Sequence, residues 1–224
     1  MAILAFDTTL DVCSVALLSG SGDRIFAERH VPMSRGHAES LHVLIGEAME
    51  DAALGFGDLT QIAVTTGPGT FTGSRIGVAA ARGFALTLDV PVIGISTLQA
   101  MACNVESANT SIMAALDAKR GQLYAALYDT NISEILPAQA VNLENVGEIA
   151  PLDPFTVIGS GAALVSNIVP HAKQFLGDAL PRASVWGRLA AEMPAPKSLP
   201  LPLYLRPPDA KPPSENSRVK RMQQ

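Results

Sequence analysis

The stretch from Thr65 to Gly77, "TTGPGTFTGSRIG", stands between an apolar run, "QIAV", and a long alanine-rich segment, "VAAARGFALTL". It contains four glycines and one proline. A glycine-rich turn that leads into a helix N-terminus directs free backbone N–H groups outward, and such groups attract anions. The stretch is therefore typical either of a phosphate-binding loop or of a tight connection between a strand and a helix.

The spacing of these glycines tests the two common nucleotide templates. Gly67, Gly69 and Gly73 match neither the dinucleotide fingerprint nor the Walker loop, and no Gly-Lys-Ser/Thr follows. Both templates fail. Taken alone, the stretch predicts a strand-to-helix turn and leaves contact with a ligand open.

Length and composition indicate an ordinary globular protein. The chain has 224 residues, 48% of them apolar, which is enough for one large domain or two small ones with a substantial core. No run has the uncharged apolar length of a membrane span, and the N-terminus lacks a signal-peptide pattern, so we expect a cytoplasmic protein. Cys13 and Cys103 are too few for a disulfide framework or a thiolate cage, and we expect buried thiols.

Charge is divided unevenly along the chain. The net charge is -5, but the last 19 residues hold five Arg or Lys against two acids, so residues 1–205 carry -8. An acidic body argues against tight, independent binding to nucleic acid. The tail 206–224 is basic and rich in proline, and its composition predicts a flexible, solvated end whose charges can also touch RNA or a partner.

Hydrophobic periodicity predicts the element order βββαβαβα for the first half of the chain. Three apolar runs, "AILAFD", "VCSVALLSG" and "RIFAERHV", predict a meander of three strands. Apolar residues at helical spacing then predict a helix from His37 to Ala52. "QIAVTT" and "PVIGI" read as strands, with one helix over 74–88 between them and another starting at Ser96 or Thr97.

The second half repeats this layout. "SIMAALDAKRGQLYAALYD" again gives a strand that ends in an aspartate, four residues and a second strand, so Asp117 corresponds to Asp7. "FTVIGSGAALV" adds a strand, a glycine turn and a helix start. What remains is short and proline-rich, which predicts a second lobe smaller than the first.

Two lobes that each open with an Asp-ended hairpin predict the actin-like ATPase (RNase H-like) α/β fold. In that layout the hairpin tips face each other and can hold phosphate, while the Asp holds a metal or a water. Candidate residues for a vestigial phosphate site are Asp7, Thr8, Thr9, Gly67 and Gly69. The alternative is that Asp7 and Thr8 only shape a turn through their own backbone hydrogen bonds.

Several segments together resemble the TsaB (YeaZ) family over most of the chain. They are "ILAFDTTLDVCSVAL", "RGHAESLHVLI", "AVTTGPGTFTGSRIGVAAARGFA", "VPVIGISTL", "MAALDAKRGQLYAALY" and "LYLRPPDA", and the "GPGTFTGSR" core is the most specific. The resemblance implies a subunit of the bacterial machinery that installs threonylcarbamoyl on the adenosine beside the tRNA anticodon. It implies pairing with the catalytic relative TsaD and with the ATPase TsaE, and contact with tRNA only within the complex. An exposed apolar patch of small residues also predicts that the free chain forms a homodimer.

The catalytic relative carries a His-x-x-x-His pair on the helix after the strand that corresponds to "PVIGI". Two imidazoles four residues apart share one helix face and can chelate a metal. Here the resemblance places Thr97 and Met101 at those positions. Neither replaces an imidazole as a ligand. The remaining histidines, His30, His37, His42 and His171, have no chelating spacing, and His37 is expected to cap the first helix. We therefore predict no metal site and no catalytic residue.

The glycine stretch is also predicted to serve packing. Gly73, Gly77 and Ala80 form a row of small residues along which another helix can approach closely. We expect the helices of residues 37–52 and 74–88 to pack together and their outer faces to form the partner interface. The candidate interface residues are Leu41, Ile45, Ala48, Gly73, Gly77, Ala80, Ala81 and Phe84.

The sequence therefore predicts three parts: an N-terminal lobe (1–105), a diverged C-terminal lobe (106–205) and the basic tail (206–224). The leading hypothesis is a non-catalytic scaffold subunit that binds no cofactor tightly, with ATP or ADP used by the complex near a subunit interface. One rival is a small-molecule kinase or ATPase of the same fold. The other is a glycoprotease-like peptidase, for which neither a metal-bound water nor an activated nucleophile can be identified.

Overall fold

The computed structural model describes residues 1–105, 108–177, 179–196 and 198–206. The predicted basic tail beyond Arg206 lies outside these residues. Among the described residues, no helix has the length and apolar character needed to cross a membrane.

The first lobe is built on a five-stranded sheet with the strand order β3-β2-β1-β4-β5. Its strands are β1 (Ala2–Asp7), β2 (Val12–Ser19), β3 (Ile25–Pro32), β4 (Leu59–Thr65) and β5 (Val92–Ile95). Strand β1 pairs antiparallel with β2 and parallel with β4, so it lies at the centre. It is buried along its whole length because helices cover both faces of the sheet.

Two helices cover one face of this sheet. They are α1 (His37–Asp51) and α2 (Phe71–Leu88), and both bury apolar residues against β1, β2 and β4. The helix predicted over 74–88 thus begins three residues earlier, because the hydroxyl of Thr70 caps it by accepting a hydrogen bond from the Gly73 amide. The helix after β5, α3 (Thr97–Ala102), starts at the predicted cap Ser96.

The second lobe repeats the first. Its sheet has the order β10-β9-β6-β7-β8, which is the same arrangement when the strands are numbered within the lobe. The strands are β6 (Ile112–Asp117), β7 (Gln122–Tyr128), β8 (Glu134–Asn142), β9 (Phe155–Ile158) and β10 (Ala172–Gln174). This repetition confirms the predicted duplication and the actin-like fold of two lobes.

The helices of the second lobe are shorter than their counterparts, which agrees with the smaller second lobe that the sequence predicts. Helices α4 (Val146–Ile149) and α5 (Ala162–Ile168) have 4 and 7 residues, against 15 and 18 in α1 and α2. They pack on one face of the second sheet, and α3 packs on the other face.

The last helix returns to the first lobe. Helix α6 (Ala183–Glu192) buries Trp186 completely against the face of the first sheet opposite α1 and α2. Residues 198–206, here called the strap, then run beside the carboxyl ends of β4 and β5, where the Leu203 amide donates to the Thr66 carbonyl at 2.8 Å. The C-terminal part of the chain therefore completes the N-terminal lobe.

Candidate functional site

The glycine-rich stretch connects the carboxyl end of β4 to the N-terminus of α2, as expected of a strand-to-helix turn. It packs directly on the β1–β2 turn: the Thr70 amide donates to the Thr9 carbonyl at 2.7 Å. A Cβ at Gly69 would lie 2.4 Å from the Thr9 carbonyl oxygen, and one at Gly73 would lie 1.9 Å from that of Thr8. Glycine is required at both positions because the two backbones touch.

The predicted phosphate-binding residues of the hairpin are all fully buried. Asp7, Thr8 and Thr9 have no exposed surface. The Thr8 hydroxyl donates to the Gly73 carbonyl at 2.7 Å, and the Thr9 hydroxyl donates to Asp7 Oδ1 at 2.6 Å. The structure thus brings the hairpin and the glycine stretch together, as the hypothesis of a phosphate site requires. The two segments are, however, hydrogen-bonded directly to each other.

The carboxylate of Asp7 lies at the centre of a threonine network. Its Oδ1 also accepts a hydrogen bond from the hydroxyl of Thr65 on the neighbouring strand, and the Thr97 hydroxyl donates to Thr9 Oγ1 at 3.0 Å. Asp7 Oδ2 is buried and has no hydrogen-bond partner among the described residues. Burial raises the pKa of Asp7 above its usual range, against the opposing effect of the threonine donors. The carboxyl is thus enclosed within the chain, with no exposed atom available to a phosphate or a metal ion.

The two positions where the resemblance places a metal-binding pair are also buried. Thr97 is fully buried and Met101 is 1% exposed, so both are core residues of α3. His37 is the first residue of α1, as predicted, and its Nε2 lies 2.9 Å from the Leu10 carbonyl oxygen. Within the described ranges, no group of three or more His, Cys, Asp or Glu side chains could hold a metal ion.

The hairpin of the second lobe differs from the first. Asp117 is at the surface, where it accepts hydrogen bonds from the Lys119 amide at 2.8 Å and from Lys119 Nζ at 2.7 Å. Lys119 and Arg120 occupy the tip with positive φ values of 61° and 56°. A cavity of about 330 Å³ lies between the lobes, lined by Leu10, Asp11, Thr70, Met101, Leu116, Gly159, Ser160, Ala179 and Leu180. It faces mainly apolar groups, and the carboxyl of Asp7 is not among its lining residues.

The predicted partner-interface residues fall into two groups. Six are buried in the chain's own interior: Leu41, Ile45, Ala48, Gly73, Gly77 and Ala81. Ala80 and Phe84 are partly exposed. Gly73 and Gly77 do not serve an approaching helix as expected, because a Cβ at Gly77 would lie 2.8 Å from Thr8 Oγ1 and 3.3 Å from Val64 Cγ2. Instead, these small residues of α2 allow the β1–β2 turn and strand β4 to pack closely against the helix.

The accessible faces of α1 and α2 border an apolar groove of about 760 Å³ that the sequence analysis did not identify as a whole. Phe84 lies on its wall, 5.7 Å from the Phe56 ring and 6.0 Å from the His42 ring between centroids. The lining residues are Ala38, His42, Phe56, Ile76, Ala79, Ala80, Gly83, Phe84, Thr87 and Leu88. A second row of small side chains, Ala79, Gly83 and Thr87 at spacings of four, was the signal that could have located it.

The strap brings a second set of residues to the surface beside the glycine stretch. Tyr204 lies 5.5 Å from Phe71 between ring centroids, and the Arg75 guanidinium stands 3.6 Å from the centroid of the Phe71 ring. Arg75 Nε donates to the Tyr204 hydroxyl at 2.8 Å. Arg206 donates to the side chain of Gln122 at the start of β7. The strap therefore contacts both lobes.

The amino-acid sequence is similar to that of proteins of a known family. The family model described as TsaD, tRNA N6-adenosine threonylcarbamoyltransferase, matches residues 31–174. An uncharacterized protein of Mycobacterium tuberculosis is 36% identical over 217 residues, 94% of each chain. The tRNA threonylcarbamoyladenosine biosynthesis protein TsaB of Bacillus subtilis is 31% identical over 204 residues, covering 89% of this chain and 85% of that protein.

Solved structures from Pseudomonas aeruginosa share the whole architecture. One, described as an uncharacterized protein with similarity to peptidase YeaZ, has a TM-score of 0.74 at 26% identity over 92% of this chain and 99% of its own. A second, described as YeaZ, has a TM-score of 0.70 at 28% identity over 84% of this chain and 90% of its own. With a family model over most of its length, and relatives and structures that cover both lobes, the chain belongs to the TsaB (YeaZ) family.

Proposed function

We propose that this chain is a non-catalytic subunit of the bacterial complex that forms threonylcarbamoyladenosine on tRNA. It holds the catalytic relative TsaD in an active conformation and helps to form the surfaces for TsaE and tRNA, in the cytoplasm where tRNA is modified. The B. subtilis relative is named for this biosynthesis, which supports the assignment to the pathway. The observation that carries the scaffold role is the buried contact between the glycine stretch and the β1–β2 turn.

That contact argues against chemistry in the cleft. An actin-like kinase or ATPase needs hydroxyls and amides of the hairpin tip to be accessible to phosphate, but here Thr8 and Thr9 are buried and hydrogen-bonded within the chain. The tip of the second hairpin presents Lys119 and Arg120 in place of glycines and hydroxyls. We therefore expect no tight nucleotide site in this chain, and we assign ATP or ADP to the complex, near a subunit interface.

Two observations on the described residues argue against a peptidase. The four histidines and the acidic residues form no metal-binding group there. Burial raises the pKa of both cysteine thiols, Cys13 and Cys103, to about 12, so neither supplies a thiolate at neutral pH. We therefore expect no peptidase activity, although one solved relative is described as similar to a peptidase.

The apolar groove between α1 and α2 is the surface that we assign to TsaD. Small side chains on α2 allow a partner helix to approach closely, and Phe56 and Phe84 offer an aromatic wall that can anchor it. Phe56 remains 44% exposed in the free chain, which favours association. The same groove would serve a homodimer, so the two assemblies compete for it.

The test is formation of threonylcarbamoyladenosine on tRNA in a purified mixture of the adenylate-forming synthase, TsaD, TsaE and ATP. We expect product only when this chain is present, and none when it replaces TsaD. Product formed equally well without the chain overturns the proposal. Calorimetric titration with ATP and magnesium adds an independent check, because tight stoichiometric binding by the isolated chain contradicts the scaffold role.

A further inference from the structure

One exposed row of helix α2 continues beyond the end of the apolar groove. Its members are spaced four residues apart, so they form a single ridge along the helix. They are Phe71, Arg75, Ala79, Gly83 and Thr87, all of them exposed and here called the ridge. The last three line the groove that we assign to TsaD, and the first two continue the same row toward the N-terminus of α2. A partner helix that follows the ridge along the groove therefore also meets Phe71 and Arg75.

The side chain of Arg75 is held in place at this end of the ridge. Its guanidinium lies 3.6 Å from the centroid of the Phe71 ring, and its Nε donates to the Tyr204 hydroxyl at 2.8 Å. Tyr204 belongs to the strap, where the neighbouring Leu203 amide donates to the Thr66 carbonyl. An arginine held in this way has already lost part of the side-chain entropy that pairing with a partner costs.

The charge of Arg75 is not neutralised within the described residues. No carboxylate there forms an ion pair with it, whereas Arg29 and Arg182 are both paired with acidic side chains. Helix α2 contains two arginines and no acidic residue, so the helix itself offers no counter-charge. Because Nε is bonded to Tyr204, the two terminal nitrogens of Arg75 are the donors that a partner can use. Their planar arrangement matches the two oxygens of a carboxylate.

We propose that Arg75 is an anchor of the TsaD interface and binds a carboxylate of TsaD. The carboxylate belongs to the helix that docks in the apolar groove and follows the ridge, and its oxygens accept hydrogen bonds from the terminal nitrogens of Arg75. Phe71 and Tyr204 limit the access of water to the pair, which strengthens its charge-assisted hydrogen bonds. The inference rests on the proposed function, because it names the partner chemistry at the groove assigned there.

The alternative occupant is the phosphate backbone of a nucleic acid. The ridge favours a protein, because Arg75 is followed on it by Ala79 and Gly83, which offer apolar surface and no hydrogen-bonding side chain to a polyanion. Phe71 is 54% exposed, and its ring gives a docked helix further apolar surface to bury. An arginine and aromatic rings beside an apolar groove are typical of protein–protein interfaces.

The experiment measures the affinity of TsaD for this chain by calorimetry, and the melting temperature of each variant. We expect Arg75→Gln to weaken binding about tenfold, because it leaves the carboxylate of TsaD without its partner. Arg75→Lys keeps the charge but cannot form two parallel hydrogen bonds, so most of the same loss is expected. Arg188→Gln is the matched control: it removes the same charge from an exposed position on α6, at the opposite face of the first sheet, and should bind like wild type. Melting temperatures should not change, since both arginines are exposed.

A charge exchange identifies the partner group. Arg75→Glu is combined in turn with changes of the exposed acidic residues of TsaD to arginine, and we expect one combination to restore the binding that Arg75→Glu weakens. Wild-type affinity of Arg75→Gln for TsaD overturns the inference, and so does the failure of every exchange. Unchanged TsaD affinity with weaker binding of tRNA to the complex also overturns it and assigns Arg75 to a nucleic acid. Failure of the proposed function is a separate result, since it appears as tRNA modification that does not require the chain at all.

Discussion

The hydroxyl of Thr8 donates a 2.7 Å hydrogen bond to the carbonyl of Gly73, and the carbonyl of Thr8 lies 1.9 Å from where a Gly73 Cβ would stand. The first turn of α2 is thus joined to the β1–β2 turn by backbone contact. This relationship gives the glycine at position 73 a packing role, because only a residue without a Cβ lets the two backbones meet.

Replacement of Gly73 by alanine should therefore destabilise the protein severely. The added Cβ meets a backbone carbonyl that cannot move without breaking strand β1 from its neighbours, and we expect a loss of about 3 kcal/mol or more in the free energy of unfolding. Gly83→Ala is the control in the same helix. A Cβ there has nothing within 4 Å, so we expect a gain of up to about 1 kcal/mol from helix propensity. Urea denaturation measures both, and equal effects at the two positions would contradict the packing role.

The raised pKa of Asp7 predicts that the free energy of unfolding decreases as the pH rises. Because burial raises its pKa in the folded state above the ordinary value of 3.8, the folded protein holds a proton that the unfolded chain releases. Stability from this group is complete below the unfolded pKa and decreases as the pH rises toward the folded pKa. Asp7→Asn mimics the neutral carboxyl, so its stability relative to wild type should rise over that window. Chemical denaturation between pH 3.5 and 8 measures the difference, and a difference that does not change with pH would contradict a raised pKa of Asp7.

The groove is tested by an arginine placed on an exposed lining residue. Ala79→Arg introduces a long charged side chain where a partner helix is proposed to dock, so we expect TsaD binding to weaken at least about tenfold, with no change in melting temperature. Leu152→Arg, at a position 97% exposed in the second lobe, is the matched control and should bind normally. Calorimetry on the two variants gives the answer; if both bind TsaD like wild type, the partner docks elsewhere.

Placing histidines at positions 97 and 101 of α3 should not create a metal site. Met101 borders the cavity between the lobes, but Thr97 is fully buried and its hydroxyl donates to Thr9. The double change Thr97→His, Met101→His therefore puts a large polar ring into the packed threonine network. We expect a loss of about 2 kcal/mol or more in the free energy of unfolding, and no calorimetric binding of Zn²⁺ or Fe²⁺. A folded variant that binds either ion tightly would show that α3 and the elements around it can adopt a metal-binding geometry.

Local features of this fold could be predicted and long-range ones could not. The hairpin at Asp7, the helix from His37 and its counterpart ending at Leu88 follow from periodicity and turn residues, which act over a few positions. The sequence pattern also showed that one face of α2 is small, but not which neighbour lies against it, and that neighbour proved to be Thr8 rather than α1.

The strap shows the same limit at greater distance. Arg75 and Tyr204 are 129 positions apart, and no periodicity connects them. The threonine network around Asp7 likewise draws on β4 and α3, which come close only once the first sheet has formed. Residue type pointed to a phosphate site at Asp7, whereas the neighbours supplied by the tertiary structure place it in the interior.

The return of α6 to the first sheet has a consequence for how the protein is made. Ile3 and Ala5 on the central strand share a buried cluster with Trp186, so part of one side of the N-terminal sheet stays uncovered until the ribosome has translated α6. The lobe synthesised first is therefore finished late, and its folding depends on contacts of very high sequence separation. A stop codon before Trp186 would release a chain whose first half has all of its strands and yet exposes an apolar sheet, which makes it a substrate for chaperones and proteases instead of a shortened subunit.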